Sequence, residues 1–376
     1  MRFLFYTQSL ISDWNHGNAH FLRGIMRELI ARGHEALALE PEASWSRLNL
    51  IAQCGRAAID RFRRDFPELR TIIYDDDFAH EELIAEADVV LVHEWNEPSL
   101  VERIGRVRRL GGRFTLLFHD THHRAVSAAQ DIASFPLDDF DCVLAFGATL
   151  RERYDRAGWG RRAFTWHEAA DDRLFRPLEG TDPPGRLVWI GNWGDEERTE
   201  ELETFLIEPV RRLSLNGNVY GVRYPPSAIA KLERSGLHYR GWIANADVPR
   251  EFAQHRVTVH VPRRPYVNSL PGIPTIRVFE ALACGIPLVS SPWSDDEGLF
   301  RAGRDFLVAR NGQEMAGLLT QVLSDVDFSA ELSAAGLETV RKRHTCRHRV
   351  SELLSILDEV GAYRPSDHAR SREAAG

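Results

Sequence analysis

Residues 271–293, with the sequence PGIPTIRVFEALACGIPLVSSPW, have the residue types best suited to chemistry. The turn Pro271–Pro274 leads into a helical pattern, with Thr275 near its start. Such a helix start offers unpaired N–H groups and a partial positive charge, which suit a diphosphate. Glu280 lies among apolar residues of this helix, so its carboxylate needs a partner. Two partners fit: the paired hydroxyls of a ribose, or Arg277 at i, i+3 spacing.

A diphosphate leaving group would also need positive charge around it. Asp75–Asp77 has Asp-x-Asp spacing, but we predict a solvated turn there and therefore no metal site. Guanidinium groups are the alternative. Arg198, Arg223 and Arg277 are the candidates, and a surface or structural role fits each of them equally well.

A second reactive group follows the predicted strand 114–118. His119 could act as a general base or bind a sugar, and Asp120 could orient it or accept a proton itself. Three closely spaced histidines, in the pattern His-x-x-His-His, are also compatible with a zinc site. However, the pattern does not match HExxH, and no later Cys/His set completes a site. A structural alternative is a helix cap by Asp120 or Thr121.

Two further loops follow predicted strands. His16, Gly17 and Asn18 precede the first long helix without a P-loop or GxGxxG pattern. Glu94 follows the fourth strand and could bind an acceptor, although burial of the neighbouring Trp95 explains that loop equally well. We expect these four polar or glycine positions on the acceptor or phosphate side of a site.

Short apolar runs, which we interpret as strands, alternate with helical patterns along the chain, and the loops described above follow these strands. This pattern indicates α/β domains whose parallel sheets are covered on both faces, with ligands bound at the carboxyl ends of the strands. The Gly- and Pro-rich segment Leu178–Arg186 is the best domain boundary. We predict two Rossmann-like domains, 1–177 and 178–347, that face a cleft. A helix at 348–361 could pack back on the first domain, and a disordered tail at 362–376 would end the chain.

The overall composition excludes several classes of protein. The 376 residues suit two domains, and the net charge of −8 disfavours binding to nucleic acid. No apolar run approaches the roughly 18–20 residues of a membrane span, and the start lacks the features of a signal peptide. The four cysteines form no CxxC pair, so we expect free thiols and a cytoplasmic protein without an integral membrane segment.

The run Arg277–Pro287 resembles the E-A-x-A-x-G-x-P signature of GT-B glycosyltransferases of the "glycosyl transferases group 1" type. Trp189–Asn192, Tyr239–Ile243 and Phe118–Arg124 support this resemblance. More narrowly, the chain is similar to the CgeB-like spore-protein branch. The resemblance covers most of the chain and is more specific in the second half.

The resemblance implies that Glu280 binds the donor ribose, that the turn at 241–243 lies beside the nucleobase, and that Gly191 and Asn192 lie near the phosphates. Many relatives carry a second Glu where this chain has Gly272, so the sugar contacts depart from the family pattern. The expected donor-binding residues are Gly191, Asn192, Arg198, Arg223, Trp242, Ile243, Gly272, Thr275, Ile276, Arg277 and Glu280.

The leading hypothesis is a glycosyltransferase that moves a sugar from a nucleoside-diphosphate donor to an unidentified acceptor, with His119 and Asp120 as catalytic residues. It would need neither a metal nor a bound cofactor. Group 1 relatives are mostly retaining, which favours retention of configuration. Two alternatives stay open: a sugar-nucleotide 2-epimerase, which uses the same fold, and a non-catalytic nucleotide-sugar-binding protein.

Overall fold

The computed structural model describes residues 1–178 and 184–361. In this part of the chain, thirteen strands form two parallel sheets, one in each domain. The strands of the first sheet are β1 (Arg2–Tyr6), β2 (Glu35–Pro41), β3 (Thr71–Tyr74), β4 (Val89–His93), β5 (Thr115–Asp120), β6 (Cys142–Ala145) and β7 (Ala163–Thr165). Those of the second are β8 (Gly185–Ile190), β9 (Gly217–Tyr220), β10 (Leu237–Gly241), β11 (His255–His260), β12 (Leu288–Ser290) and β13 (Leu307–Val308).

The strand orders are β3-β2-β1-β4-β5-β6-β7 and β10-β9-β8-β11-β12-β13. In each sheet the order reverses beside the first strand, which is the point where doubly wound sheets open a crevice for a ligand. The central strands are apolar and buried, as in β4 and β5, because helices cover both faces of the sheet. The prediction of two Rossmann-like α/β domains with parallel sheets is confirmed.

The helices of the first domain are α1 (Ala19–Ala31), α2 (Trp45–Cys54), α3 (Ala57–Asp65), α4 (His80–Ala85), α5 (Pro98–Arg109), α6 (Arg124–Ser127), α7 (Ala129–Ala133) and α8 (Ala148–Ala157). Those that follow are α9 (Thr199–Leu202), α10 (Glu208–Arg212), α11 (Pro226–Ser235), α12 (Val248–Ala253), α13 (Arg264–Ser269), α14 (Ile276–Cys284), α15 (Gly312–Ser324), α16 (Val326–Arg343) and α17 (Cys346–Glu359). A π-helical segment, Glu203–Ile207, joins α9 to α10, and short 3-10 turns lie at Leu137–Asp139 and Asn245–Asp247.

The last helix, α17, follows the second domain in sequence but packs on α1 of the first. The Trp166 indole donates to the Arg349 carbonyl over 2.8 Å. Ala170 N donates to His344 O (3.0 Å), and Cys346 N donates to Ala170 O (2.9 Å). These bonds attach the segment that leaves the first domain to the segment that returns to it.

Close packing at Gly24 of α1 makes this docking sensitive to a single methyl group. A Cβ there would lie 2.8 Å from Asp171 Cβ and would also collide with Cys346 Sγ. We expect Gly24→Ala to lower the free energy of unfolding by about 1–3 kcal/mol in urea denaturation, because the core cannot absorb the added volume. Gly317→Ala is the matched control, since a Cβ at that position of α15 meets nothing within 4 Å. Equal stabilities of the two variants would contradict the prediction.

Two predictions lie outside the described residues. Residues 179–183, in the predicted boundary segment, and the predicted tail at 362–376 are not described by the structure. Within residues 1–178 and 184–361, no helix combines the length and the apolar character that crossing a membrane requires.

Candidate functional site

A cavity of about 530 Å³ lies between the two domains, which is within the usual range for ligand sites. The first domain contributes the loops after β1, β4 and β5 and the crossing segment at Glu168. The second contributes the loops after β8, β9 and β11 and the start of α14. The walls therefore come from the carboxyl ends of both sheets, as the parallel topology predicts.

The start of α14 faces this cavity through Thr275, Ile276 and Arg277. Thr275 Oγ1 is 2.9 Å from His260 Nε2, and this contact positions the helix start against β11. A Cβ on Gly17 would lie 3.3 Å from Ile276 Cγ2, so the two domains approach closely here. The helix start thus presents its amino end to the space between the domains.

Four arginines line the wall contributed by the second domain, and three of them are the least exposed: Arg198, Arg263 and Arg277. Arg198 is buried, donates to Val261 O over 2.7 Å and lies over the Trp189 ring at 5.2 Å. Burial, followed by the charge of Arg263, lowers the pKa of Arg198 to about 9. The guanidinium is still charged at neutral pH, but an anion in the cavity would stabilise it.

The predicted site did not include Arg263, although this residue lies in the loop that follows β11. Its side chain pairs with Glu197 at 3.1 Å on the cavity wall. Arg223, which was predicted, also lines the cavity and pairs with Asp195 at 2.9 Å, with its side chain 43% exposed. Arg263 therefore lies on the same wall as Arg198, and Arg223 is the more exposed of the predicted arginines.

The loops after β8 and β10 place four other predicted residues on the cavity: Gly191, Asn192, Trp242 and Ile243. Asn192 Oδ1 accepts from Val222 N over 2.9 Å, and its amide donates to Asn15 Oδ1 of the first domain. The Trp242 indole N–H has no hydrogen-bond partner among the described residues. These loops thus form a mixed apolar and polar wall beside the arginines.

Backbone strain concentrates at the same cavity. Five non-glycine residues in the described ranges have positive φ, and three of them line the cavity: Asn15 (49°), Asp195 (49°) and Arg223 (63°). Such conformations are unfavourable and cluster at functional sites, where the surrounding structure holds them. The cluster supports a functional role for this cavity.

The prediction that Glu280 binds the donor ribose requires a correction. It is fully buried and does not line the cavity. Its carboxylate is 3.0 Å from His20 Nδ1 of the first domain and also pairs with Arg277. Burial raises the pKa of Glu280, but Arg277 and His20 outweigh it and the net direction is downward. The structure thus contains the internal pair that was the alternative to ribose binding, and adds a partner from the other domain.

Gly272 is also absent from the cavity wall. It has φ +88°, and a Cβ there would lie 2.9 Å from Glu297 Cγ. Glu297 accepts from Ala148 N over 2.8 Å and contacts His167 Nε2 at 2.8 Å, so it joins the two domains. The positive φ and this close approach require glycine here, and Gly272 lies outside the cavity in which it was predicted to contact the donor.

His119 and Asp120, predicted as catalytic, are fully buried and do not reach the cavity. His119 packs on Trp166 with ring centroids 4.9 Å apart, and burial and His93 keep its pKa well below its usual value. Asp120 accepts from Tyr154 OH over 2.8 Å, and burial and Glu94 raise its pKa to about 8. Both residues belong to β5, whose side chains point into the packed faces of the sheet.

Glu94, predicted on the acceptor side, is also fully buried and absent from the wall. Its carboxylate lies 2.7 Å from His93 Nδ1 and accepts weakly from Thr121. By contrast, His16, Gly17 and Asn18 do line the cavity. Burial, together with the charges of His93 and Arg23, lowers the pKa of His16 to about 3, so its imidazole is neutral.

The predicted site did not include several residues that line the cavity: Thr121, His122, His123, Glu168 and Tyr266. The first three directly follow β5, so extending that loop by a few residues would have included them. Glu168 lies where the chain leaves the first domain, and its position depends on how the domains meet. Within the described residues, no group of three or more His, Cys, Asp or Glu residues is placed to hold a metal ion.

A family model described as "Glycosyl transferase-like" matches residues 198–355. Most of the second domain is therefore similar to a glycosyl transferase-like domain. Of the residues that line the cavity, the matched region contributes Arg198, Arg263 and Arg277, the Trp242 turn and the start of α14. No curated protein that was compared matches the chain in sequence.

Solved structures resemble the whole chain, including both domains. Anabaena Alr3699/HepE, in complex with UDP and glucose, superposes with a TM-score of 0.68 at 14% identity, over 95% of this chain and 99% of that one. Sucrose-phosphate synthase from Thermosynechococcus elongatus gives 0.66 at 12% identity, over 96% and 99%. These matches show the GT-B fold.

An alpha-glucosyltransferase in complex with UDP and a 13-mer DNA containing an HMU base gives a TM-score of 0.68 at 11% identity, over 95% and 99% of the chains. The GT-B fold is thus found in a protein that binds DNA.

Proposed function

We propose that this protein is a glycosyltransferase that moves a sugar from a nucleoside-diphosphate donor, with a UDP-sugar as the first donor to test. The observation that carries the proposal is the cluster of Arg198, Arg263 and Arg277 beside the start of α14 in the interdomain cavity. Arg263 and Arg277 already pair with Glu197 and Glu280, but Arg198 is buried without a carboxylate partner among the described residues. Its charge is unfavourable beside Arg263 until an anion neutralises it. A diphosphate matches both the charge and the helix start.

The donor base would lie in the loops of the second domain that contain Trp242 and Ile243, as the family resemblance implies. UDP is the nucleotide in the complexes of Anabaena Alr3699/HepE and the alpha-glucosyltransferase, which supports testing uridine nucleotides first. The acceptor would enter from the first domain, near His122 and Glu168. Closure of the domains would exclude water from the activated sugar.

The finer parts of the hypothesis stay predictions. Arginines and a helix start can stabilise the leaving group, so we propose a reaction without a metal or a bound cofactor. Retention of configuration and membership of the CgeB-like branch rest on the resemblance. A cytoplasmic location rests on the composition, and the absence of a nucleic-acid partner rests on the net charge.

A panel of nucleotides tests this function. We expect UDP to bind more tightly than GDP and dTDP in calorimetry, and UDP-glucose to release UDP faster when a suitable acceptor is added. If no nucleoside diphosphate binds, both the transferase and the epimerase hypotheses are contradicted. Conversion of the sugar without any dependence on an acceptor would support the 2-epimerase alternative, and binding without turnover would support the non-catalytic one.

A further inference from the structure

The carboxylates that line the cavity differ in their partners. Among the described residues there are four, and three of them are ion-paired with arginine. The pairs are Asp13–Arg23 (2.8 Å), Asp195–Arg223 (2.9 Å) and Glu197–Arg263 (3.1 Å). The fourth, Glu168, has no Arg or Lys nitrogen within 4 Å in the same part of the chain. A carboxylate held by a guanidinium is a weak proton acceptor, so Glu168 differs chemically from the others.

Glu168 is also held in a fixed position. Asn18 Nδ2 donates to Glu168 Oε1 over 2.8 Å, and the Arg349 side chain donates to the Glu168 carbonyl over 3.3 Å. Two residues further on, Ala170 is bonded to the segment that starts α17. Asp171 N then donates to His20 Nε2 over 2.9 Å. The carboxylate is thus supported from α1 and α17 before any ligand arrives.

The second carboxylate oxygen, Oε2, accepts from no donor in the described residues, and Glu168 is 6% exposed where it lines the cavity. We propose that Glu168 is the base that takes the proton from the acceptor hydroxyl, an inference that rests on the proposed glycosyl transfer. The acceptor oxygen forms the new bond to the anomeric carbon on the face from which the phosphate oxygen departs, so the configuration is retained, and the bond from that carbon to the phosphate oxygen breaks. The diphosphate leaves with the electron pair, and the acceptor proton moves to Glu168 Oε2.

The surrounding charges suit this role. The pKa of Glu168 is raised to about 8, mainly by burial and also by Glu280 and Glu94, while the Asn18 hydrogen bond and Arg277 oppose the shift. The charge of Glu168 in turn raises the pKa of Tyr266 on α13, although burial is the larger cause there.

Three imidazoles of the same cavity are weaker bases than Glu168. Burial lowers the pKa of His260 to about 3, as it does for His16, and the pKa of His122 is also well below its usual value. Near neutral pH a base with a pKa close to 8 retains a proton, whereas one with a pKa close to 3 does not. Glu168 is therefore a stronger proton acceptor than these three imidazoles.

The test compares Glu168→Gln with the wild type in the release of UDP from UDP-glucose, alongside UDP binding by calorimetry. We expect turnover to fall by about 100-fold or more, as for loss of a general base, while the Kd for UDP changes by less than about threefold. The wild-type rate should rise with pH toward about 8 as the carboxyl ionises, and the rate of the variant should be independent of pH. Glu168→Asp keeps a carboxylate and should recover part of the rate.

Glu35→Gln, at a side chain 79% exposed, is the control and should match the wild type. Full activity of Glu168→Gln, or a loss of UDP affinity equal to the loss of turnover, would overturn the role of Glu168. An active wild type with an equally active variant would contradict only this inference. A wild type that neither binds nor turns over any nucleotide sugar would contradict the proposed function, and Glu168 as the base with it.

Discussion

Glu280→Ala is expected to lower the free energy of unfolding by about 3–5 kcal/mol, the usual effect of removing one partner from a buried charge pair. The Glu280 carboxylate is fully buried and lies between His20 of the first domain and Arg277 of its own helix. Asp171 N donates to His20 Nε2, so the proton of a neutral His20 ring is on Nδ1, facing Glu280. Alanine would leave this N–H without an acceptor and would release the Arg277 guanidinium.

The contribution of Glu280 depends on pH in a defined direction. Its pKa is lowered in the folded protein, because Arg277 and His20 outweigh the effect of burial. A lowered pKa stabilises the fold above the unfolded value, about 4.3, and that stabilisation is lost as the pH falls through the folded value. The difference between wild type and variant should therefore be constant near neutral pH and shrink in acid.

Urea denaturation followed by tryptophan fluorescence measures this effect. Glu338→Ala, at an exposed carboxylate paired with Lys342, is the control and should change stability by less than about 1 kcal/mol. A similarly small change for Glu280→Ala would contradict the structural role. Glu280→Gln separates that role from ribose binding, because it retains an oxygen for His20. If this variant folds normally but loses UDP affinity, Glu280 contacts the ribose after a rearrangement of Arg277.

Arg263→Ala is expected to weaken UDP binding by about 10- to 100-fold, because hydrogen bonds to charged groups contribute about 1.5–3 kcal/mol. Arg263 lines the cavity beside Arg198, and its partner there, Glu197, is also 3.5 Å from His123 Nε2. Loss of its guanidinium would remove one of three positive charges available to a diphosphate. Calorimetry with UDP and with uridine should show the loss for the nucleotide only.

The neighbouring residue provides a matched control. Arg264 pairs with Glu201 at 2.8 Å and does not line the cavity. Arg264→Ala should therefore keep the UDP affinity of the wild type within about threefold. Equal affinities of the Arg263 and Arg264 variants would remove Arg263 from the donor site, and equal losses of uridine and UDP binding would point to a structural defect.

Local patterns predicted the elements of this fold well. The strand predicted at 114–118 is β5, Thr115–Asp120, and the helical pattern predicted after Pro271–Pro274 is α14, Ile276–Cys284. Apolar runs, helical periodicity and glycine stops act over a few residues, so they can be recognised without the tertiary structure. Sequence periodicity did not reveal the π-helical segment at Glu203–Ile207, which joins α9 to α10.

The predicted site was less complete, for a geometric reason. A strand end predicts a loop near the ligand, but the direction of each side chain depends on where that strand stops. β5 continues through Asp120, so His119 and Asp120 face packed layers and the residues after them reach the cavity. Glu280 was correctly expected to need a partner, but His20 is 260 positions away in sequence and could not be identified from local spacing.

The sequence by itself determined the α/β class, the two-domain plan and the loops at the carboxyl ends of the strands, because these follow from short-range patterns of apolar and helix-ending residues. Only the tertiary structure decided which polar groups share the cavity, since that depends on how two domains meet. Arg349 and Asn18, far apart in the chain, together position Glu168 at the cavity. Charges and hydrogen bonds act through space, so the chemistry of this site depends on contacts that sequence spacing does not encode.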